Sequence, residues 1–228
     1  MTVATATLQP GKKLHALEAL GEVLLGWGAL SSLLYAGADV LAAMRYEGYS
    51  YASQTISELS AIGAPTRTLV VALALAYDVL VIGFGVAVWE SARGKRALRL
   101  TGALLIAYGA IGFAAPFFPM NLRGARTSLT DAMHIALTGV TVVLILLQLA
   151  IGSAASGRRF RLYSLATFLV VLVFGALAGL DGPRIAAGEP TPWVGVLERI
   201  CVGAYLLWVA VLDVVLLQAE TRAASTPP

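Results

Sequence analysis

"RTLVVALALAYDVLVIGFGVAVWES", residues 67–91, decides the fold class. Between the Arg at its start and the Glu near its end it carries a single charged group, Asp78. About 20 apolar residues in a helix cross the hydrocarbon core of a bilayer, so this run is long enough to span a membrane. The composition agrees: of 228 residues, 58% are hydrophobic and 13% charged, with a mean hydropathy of +0.81, whereas a typical soluble domain is about one-quarter charged. Outward from this run in both directions, similar stretches occupy residues 18–44, 98–120, 130–152, 162–180 and 193–218. The expected fold is therefore all-α, a polytopic membrane protein with a bundle of six transmembrane helices over residues 18–218. A cytoplasmic segment, 1–17, should precede it and a disordered cytoplasmic tail, 219–228, should follow it.

The first run is longer than the apolar core of a signal peptide and has no small-residue cleavage site before its polar exit, so it is expected to stay as helix one. The only cysteine is Cys201, inside the sixth run, which excludes an intramolecular disulfide or a thiolate cluster within one chain. The formal net charge of +3 does not point to nucleic acid, because the charges sort by connection. Lys12, Lys13, Arg93, Lys95, Arg96, Arg99, Arg158, Arg159, Arg161 and Arg222 fall on one side of a six-helix chain; Arg45, Arg67, Arg123, Arg126, Arg184 and Arg199 fall on the other. This split of ten against six predicts that both termini lie in the cytoplasm. Arg and Ala in place of Lys suggest a bacterial gene, hence the bacterial cytoplasmic membrane.

The inner connections, "SARGKRALR" and "SAASGRRFR", are short and plain. The outer ones hold most of the Pro, Asn, Asp and Glu, and loops that build a site need such groups. In "YASQTISELSAIGAPTR", residues 51–67, Thr55 and Glu58 have the spacing of a capping box. Ile56, Leu59 and Ile62 recur every third residue, and Gly63 with Pro65 ends the pattern. A short helix at the outer membrane surface, between helices one and two, is expected. Glu58 either completes its cap alone or also lines a cavity.

A charged side chain at the bilayer centre costs about 2.5–3.5 kcal/mol on insertion scales, so such groups face the protein interior and have partners or roles. Asp39 lies near the outer end of helix one, with Tyr35 and Ser32 on its face. Asp78 lies near the middle of helix two. Asp131, His134 and Thr138 form one stripe on helix four. Glu198, Arg199 and Tyr205 lie on helix six. With the loop residues Arg123, Asp181 and Arg184, these groups define one polar site opening to the outer side. His134 is expected to bond Asp131 or a carbonyl. Glu198 and Arg199 point about 100° apart on a helix and need separate partners: Asp181 or Asp39 for Arg199, Arg123 or Arg184 for Glu198. Asp78 is either a neutral acid bonded to a carbonyl or tyrosine, or a proton relay. Trp27, Trp89, Trp193 and Trp208 read as interface-belt residues, and Asp213 and Glu90 as solvated groups near the cytoplasmic ends.

The chain has two histidines, which excludes a bis-His haem or a three-His zinc site within one chain, since His15 precedes helix one. No Walker loop, G-x-S-x-G elbow or H-E-x-x-H is present. No metal and no cofactor is expected.

At "TISELSAIGAP", "FFPMNLRGARTSLTDAMH" and "GVLERICVGAYLLW" the sequence resembles the bacterial DUF998 family of six-helix membrane proteins, over nearly the whole chain. The resemblance implies a six-helix bundle and groups Ser57, Glu58, His134, Glu198 and Arg199 as one set; it implies no reaction. The residues themselves suggest an acid–base enzyme acting on an apolar substrate, a lipid or an isoprenoid undergoing cyclisation or isomerisation. Glu58, Asp131, His134 and Glu198 would be catalytic, with Glu58 or Glu198 as acid and His134 paired with Asp131 as base. Asp39, Tyr35, Asp78, Arg123, Asp181, Arg184, Arg199 and Tyr205 would bind substrate. The alternatives are a small transporter or lipid-handling protein, and a non-catalytic assembly partner. Expected partners are membrane lipids, an apolar small molecule and a second copy of the chain, with no nucleic acid.

Overall fold

A computed structural model describes residues 21 and 23–225, apart from the side chain of residue 224. The segment 1–17 therefore lies outside the described residues. Six helices are long and apolar enough to cross a membrane: α1 (Trp27–Arg45), α2 (Arg67–Glu90), α3 (Arg96–Gly112), α4 (Leu129–Gly152), α5 (Arg158–Leu180) and α6 (Val194–Ser225). Each packs on the next in chain order, and α6 closes back onto α1, so the six form a ring. Among the described residues there is no strand, only an isolated bridge between Ile62 and Asn121. The chain is an all-α polytopic membrane protein.

The helix boundaries depart from the expected ones where the chemistry requires it. The third run breaks at Gly112 and passes through a tight turn at Ala115–Phe117, because Pro116 cannot continue the helix. The sixth helix runs on to Ser225, past the tail boundary expected at 218. Gln218, Ala219, Glu220 and Arg222 are good helix formers, and Glu220 is ion-paired to Arg93 across the bundle. The short helix expected between helices one and two is a 3-10 helix at Ile56–Ser60, in which Leu59 is fully buried; with the α3–α4 and α5–α6 connections it forms one end of the bundle, the outer end in the sense of the sequence expectation. Gly63, at φ +88°, ends the pattern, as the left-handed region allows glycine to do.

Without a hydrophobic driving force between helices in lipid, close association depends on small residues that let backbones touch. The α2–α3 seam meets this with Gly85, Gly102 and Gly109. A Cβ on Gly102 would lie 2.6 Å from the Trp89 nitrogen and 2.7 Å from the Gly85 carbonyl oxygen, both backbone atoms that cannot yield.

Aromatic rings fill the centre of the ring of helices. Tyr35, Tyr77, Tyr108 and Tyr205 follow one another with centroids 5.0, 6.3 and 5.5 Å apart, and Trp208 stacks 6.4 Å beyond Tyr205. Four of the polar tips find partners, which a buried group in a membrane protein favours. The Tyr77 and Tyr108 hydroxyls are 3.1 Å apart, Tyr205 donates to Gln148 Oε1 at 2.6 Å, and the Trp208 indole N–H donates to Ser164 Oγ at 2.9 Å. Trp208 is thus a core residue and not part of an interface belt, whereas Trp89 and Trp193 are exposed.

Asp213 is also corrected: it is buried, and its Oδ2 accepts the Ala29 N–H at 2.8 Å. Because α6 continues well past it, Asp213 sits beside the start of α1, where unpaired amides attract a carboxylate. The ring is loosest on the outer side. No residue from Ala110 to Leu144, or from Leu172 to Pro190, is fully buried, so the outer halves of α4 and α5 meet the bundle only through half-buried side chains such as His134 and Phe174.

Gly102→Ala should destabilise the bundle by about 1–3 kcal/mol through overpacking, read as a lowered unfolding midpoint in mild detergent. Gly139→Ala on α4, where a Cβ meets nothing within 4 Å, should leave the midpoint unchanged.

Candidate functional site

Two guanidinium groups organise the outer end. The first is Arg199 on α6. Its Nε and Nη2 donate to the two oxygens of Asp39 on α1 at 2.9 and 2.8 Å, a fork-on-fork pair. Its Nη1 donates to the carbonyls of Tyr51, Gln54 and Gly195, and Nη2 also donates to the Tyr49 hydroxyl at 2.7 Å. The guanidinium lies 3.6 Å from the centroid of the Tyr51 ring, and the Tyr51 hydroxyl donates to Asp39 Oδ2 at 2.6 Å. Arg199 therefore pins the loop between α1 and α2 to two helices at once.

The second is Arg123, in the connection between α3 and α4. Its Nε and Nη2 donate to Glu58 at 3.0 and 2.9 Å, and its remaining N–H groups reach the Glu189 carbonyl, Thr191 Oγ1 and the Ser53 carbonyl. Glu58, 2% exposed, also accepts the Thr55 N–H at 2.7 Å, which is the carboxylate arm of the capping box. Glu58 thus completes its cap and at the same time ties three outer connections together.

The other predicted residues take definite places. Asp131 accepts the N–H of Asn121 and of Ser128, the Asn121 side-chain amide and the Ser128 hydroxyl, so it caps α4 and fixes the preceding loop. His134 does not bond Asp131; its Nδ1 lies 3.1 Å from the Phe118 carbonyl oxygen. With Nδ1 donating there, Nε2 keeps its lone pair. Glu198 pairs with neither Arg123 nor Arg184. Its Oε2 accepts the Ile56 N–H at 2.6 Å, and no cation lies within ion-pairing distance of it among the described residues. Arg184 makes a loose, exposed pair with Asp181 at 3.7 Å and another with Glu189, outside the buried cluster. Asp78 is buried against Gly112, where a Cβ would fall 2.1 Å from its Oδ1, and it has no hydrogen-bond partner among the described residues. Tyr35 and Tyr205 belong to the aromatic line.

Sequence reasoning missed Tyr49, Tyr51, Gln54 and Thr191, which hold the two arginines. The clue was the density of tyrosine in "RYEGYSYASQ", since aromatic faces and hydroxyls are what a half-buried guanidinium needs.

The arrangement separates saturated groups from available ones. Asp39 and Glu58 each spend both oxygens on a guanidinium fork, and Asp131 is filled by four donors. Glu198, Nε2 of His134 and Asp78 keep unused capacity. Among the described residues no three His, Cys, Asp or Glu side chains gather as a metal ligand set.

Six membrane-length helices in a ring, closed on the outer side by a buried ion-pair network, define a polytopic integral membrane protein. The chain belongs to the family described as Protein of unknown function (DUF998), whose model matches residues 29–215, a span that includes every residue of the outer network. No curated protein and no solved structure matches it.

Removing one partner of a buried ion pair leaves the other uncompensated, at a cost of about 3–5 kcal/mol. Asp39→Asn should therefore lower the unfolding midpoint strongly, whereas Arg184→Gln, in an exposed pair, should change it little. Burial pushes the Tyr51 hydroxyl up, its bond to Asp39 adding to the rise; burial also pushes up Tyr49, with the Arg199 bond opposing. A raised folded value means stability that is complete below the unfolded tyrosine value of about 10 and is lost as pH rises beyond it. Unfolding midpoints recorded from neutral pH upward should fall from about pH 10, and less steeply in Tyr51→Phe.

Proposed function

We propose that this protein is an acid–base enzyme that acts on an apolar molecule, a lipid or isoprenoid, in the outer half of the bundle, with Glu198 as the acid. The observation that carries this reading is that Glu198, alone among the acids of the outer cluster, has a single backbone amide for a partner and no cation. Around the aromatic line, ring faces of Tyr35, Tyr77, Tyr108 and Tyr205 offer the electron density that stabilises positive charge on an apolar substrate. Glu198 would add its proton to one carbon of a double bond, forming a C–H bond and leaving a cation on the neighbouring carbon. A base would then remove a proton from an adjacent carbon, and that C–H pair would restore a double bond in a new place. His134, with Nε2 open, is the base this reading assigns. The loose outer halves of α4 and α5 offer entry from the bilayer. Arg123, Arg199, Asp39 and Glu58 act as positioning residues that hold the cap. The basic end of the ring then faces the cytoplasm, in the direction of the positive-inside bias.

A second reading, a small transporter or lipid-handling protein, is favoured by Asp78, a buried acid midway along α2 without a partner. The two readings separate in heavy water. Protein purified with its membrane lipids and incubated in D₂O should incorporate deuterium into a co-purifying apolar molecule, and Glu198→Gln should slow this by about 10²–10⁴-fold, the usual range for a general acid. Equal incorporation in the variant, or none in either protein, would sink the enzymatic reading.

A further inference from the structure

At the opposite end of the molecule, two adjoining open depressions of 490 and 620 Å³ share Ser156, Gly157 and Val215. They lie between the start of α5, the end of α6 and the connection between α2 and α3, which is where the membrane-spanning segments end. This is the depth of lipid head groups. The rim carries Arg158 and Arg159 on one side and Arg93 and Lys95 on the other. Glu220 is the acid on the rim, and it is taken by Arg93. The side chains of Arg158, Arg159 and Lys95 have no ion-pair or hydrogen-bond partner among the described residues, so positive charge converges here.

The floor has a different character. Phe160, Val211 and Val215 give the first cavity an apolar wall. Tyr163 lines the same wall, and its hydroxyl is buried without a hydrogen-bond partner. A buried hydroxyl left unpaired is unfavourable, so a group that accepts its proton would be favoured there. The first amides of α5 add donors, because Gly157 supplies no side-chain cap. Unpaired cations above, an orphan hydroxyl and free amides at the wall, and an apolar floor complement a phosphate attached to something apolar.

We infer that this cleft binds a phosphate-bearing anionic head group, with Arg158 and Arg159 as its cationic contacts and Tyr163 as a hydroxyl donor. The phosphate belongs either to an anionic membrane lipid or to a soluble phosphate ester, and the two sources are separable. The inference does not rest on the proposed enzymatic activity at the other end.

Native mass spectrometry of the full chain in mild detergent, with phosphatidylglycerol, phosphatidylcholine or glycerol 3-phosphate added in turn, provides the test. Phosphatidylglycerol should be retained in preference to phosphatidylcholine, and the Arg158→Gln/Arg159→Gln double variant should weaken retention by about tenfold or more, since each basic residue near a lipid surface contributes about 1 kcal/mol. Tyr163→Phe should weaken it less, and Arg126→Gln, at the outer end, should not change it. Retention of phosphatidylglycerol without glycerol 3-phosphate assigns the site to a lipid; glycerol 3-phosphate bound with equal strength, and lost in the double variant, assigns it to a soluble ester. Equal retention of the two lipids with no glycerol 3-phosphate bound, or a double variant that binds like the parent, overturns the inference.

Discussion

The outer architecture depends on the pairing of two guanidinium groups with two carboxylates, where solvent reaches little of either. Arg199 joins Asp39, and Arg123 joins Glu58, with side chains of the acids only 6% and 2% exposed. Removing charges from water is costly, and the pairs are tolerated because the fork geometry is complete and the leftover N–H groups reach carbonyls and hydroxyls. Each arginine therefore accounts for several backbone carbonyls that would otherwise be stranded in irregular loops at a membrane surface. From that satisfaction follow the position of the 3-10 helix, the closure of the outer end and the isolation of Glu198 beneath it.

That isolation gives the functional reading its content. The acids of the outer cluster are chemically unequal although they lie close in depth. Those bonded to arginine or filled by amides and hydroxyls hold structure; Glu198 is placed by one amide and makes no ion pair among the described residues. Sequence could gather these residues at one level but could not rank them, because rank depends on which partner each one meets across the bundle.

Much of the fold was legible because a membrane imposes simple rules. The apolar run at 67–91 and its five counterparts gave the six helices, and the Thr55–Glu58 spacing gave the short outer element. Pairing was harder. Arg199 was offered Asp181 or Asp39 and takes Asp39 because α6 closes the ring onto α1, a contact between the first and last helices that no local pattern encodes. Asp213 was misread for a related reason: its solvated look assumed that α6 ended nearby, whereas the helix continues and brings it against the first amides of α1. His134 and Asp131 share a helical stripe, yet each is claimed by the loop before α4, since loop amides and carbonyls compete well for such groups.

The two ion pairs hold the outer cap closed. Hydrogen exchange of the Thr55 and Ile56 amides, which are bonded to Glu58 and Glu198, reads this directly. Exchange should be slow in the native protein and faster by about tenfold or more in Arg123→Gln, a tenfold change corresponding to about 1.4 kcal/mol of local opening. Exchange at the rate of an unstructured peptide in the native protein, or the same slow rate in the variant, would contradict it.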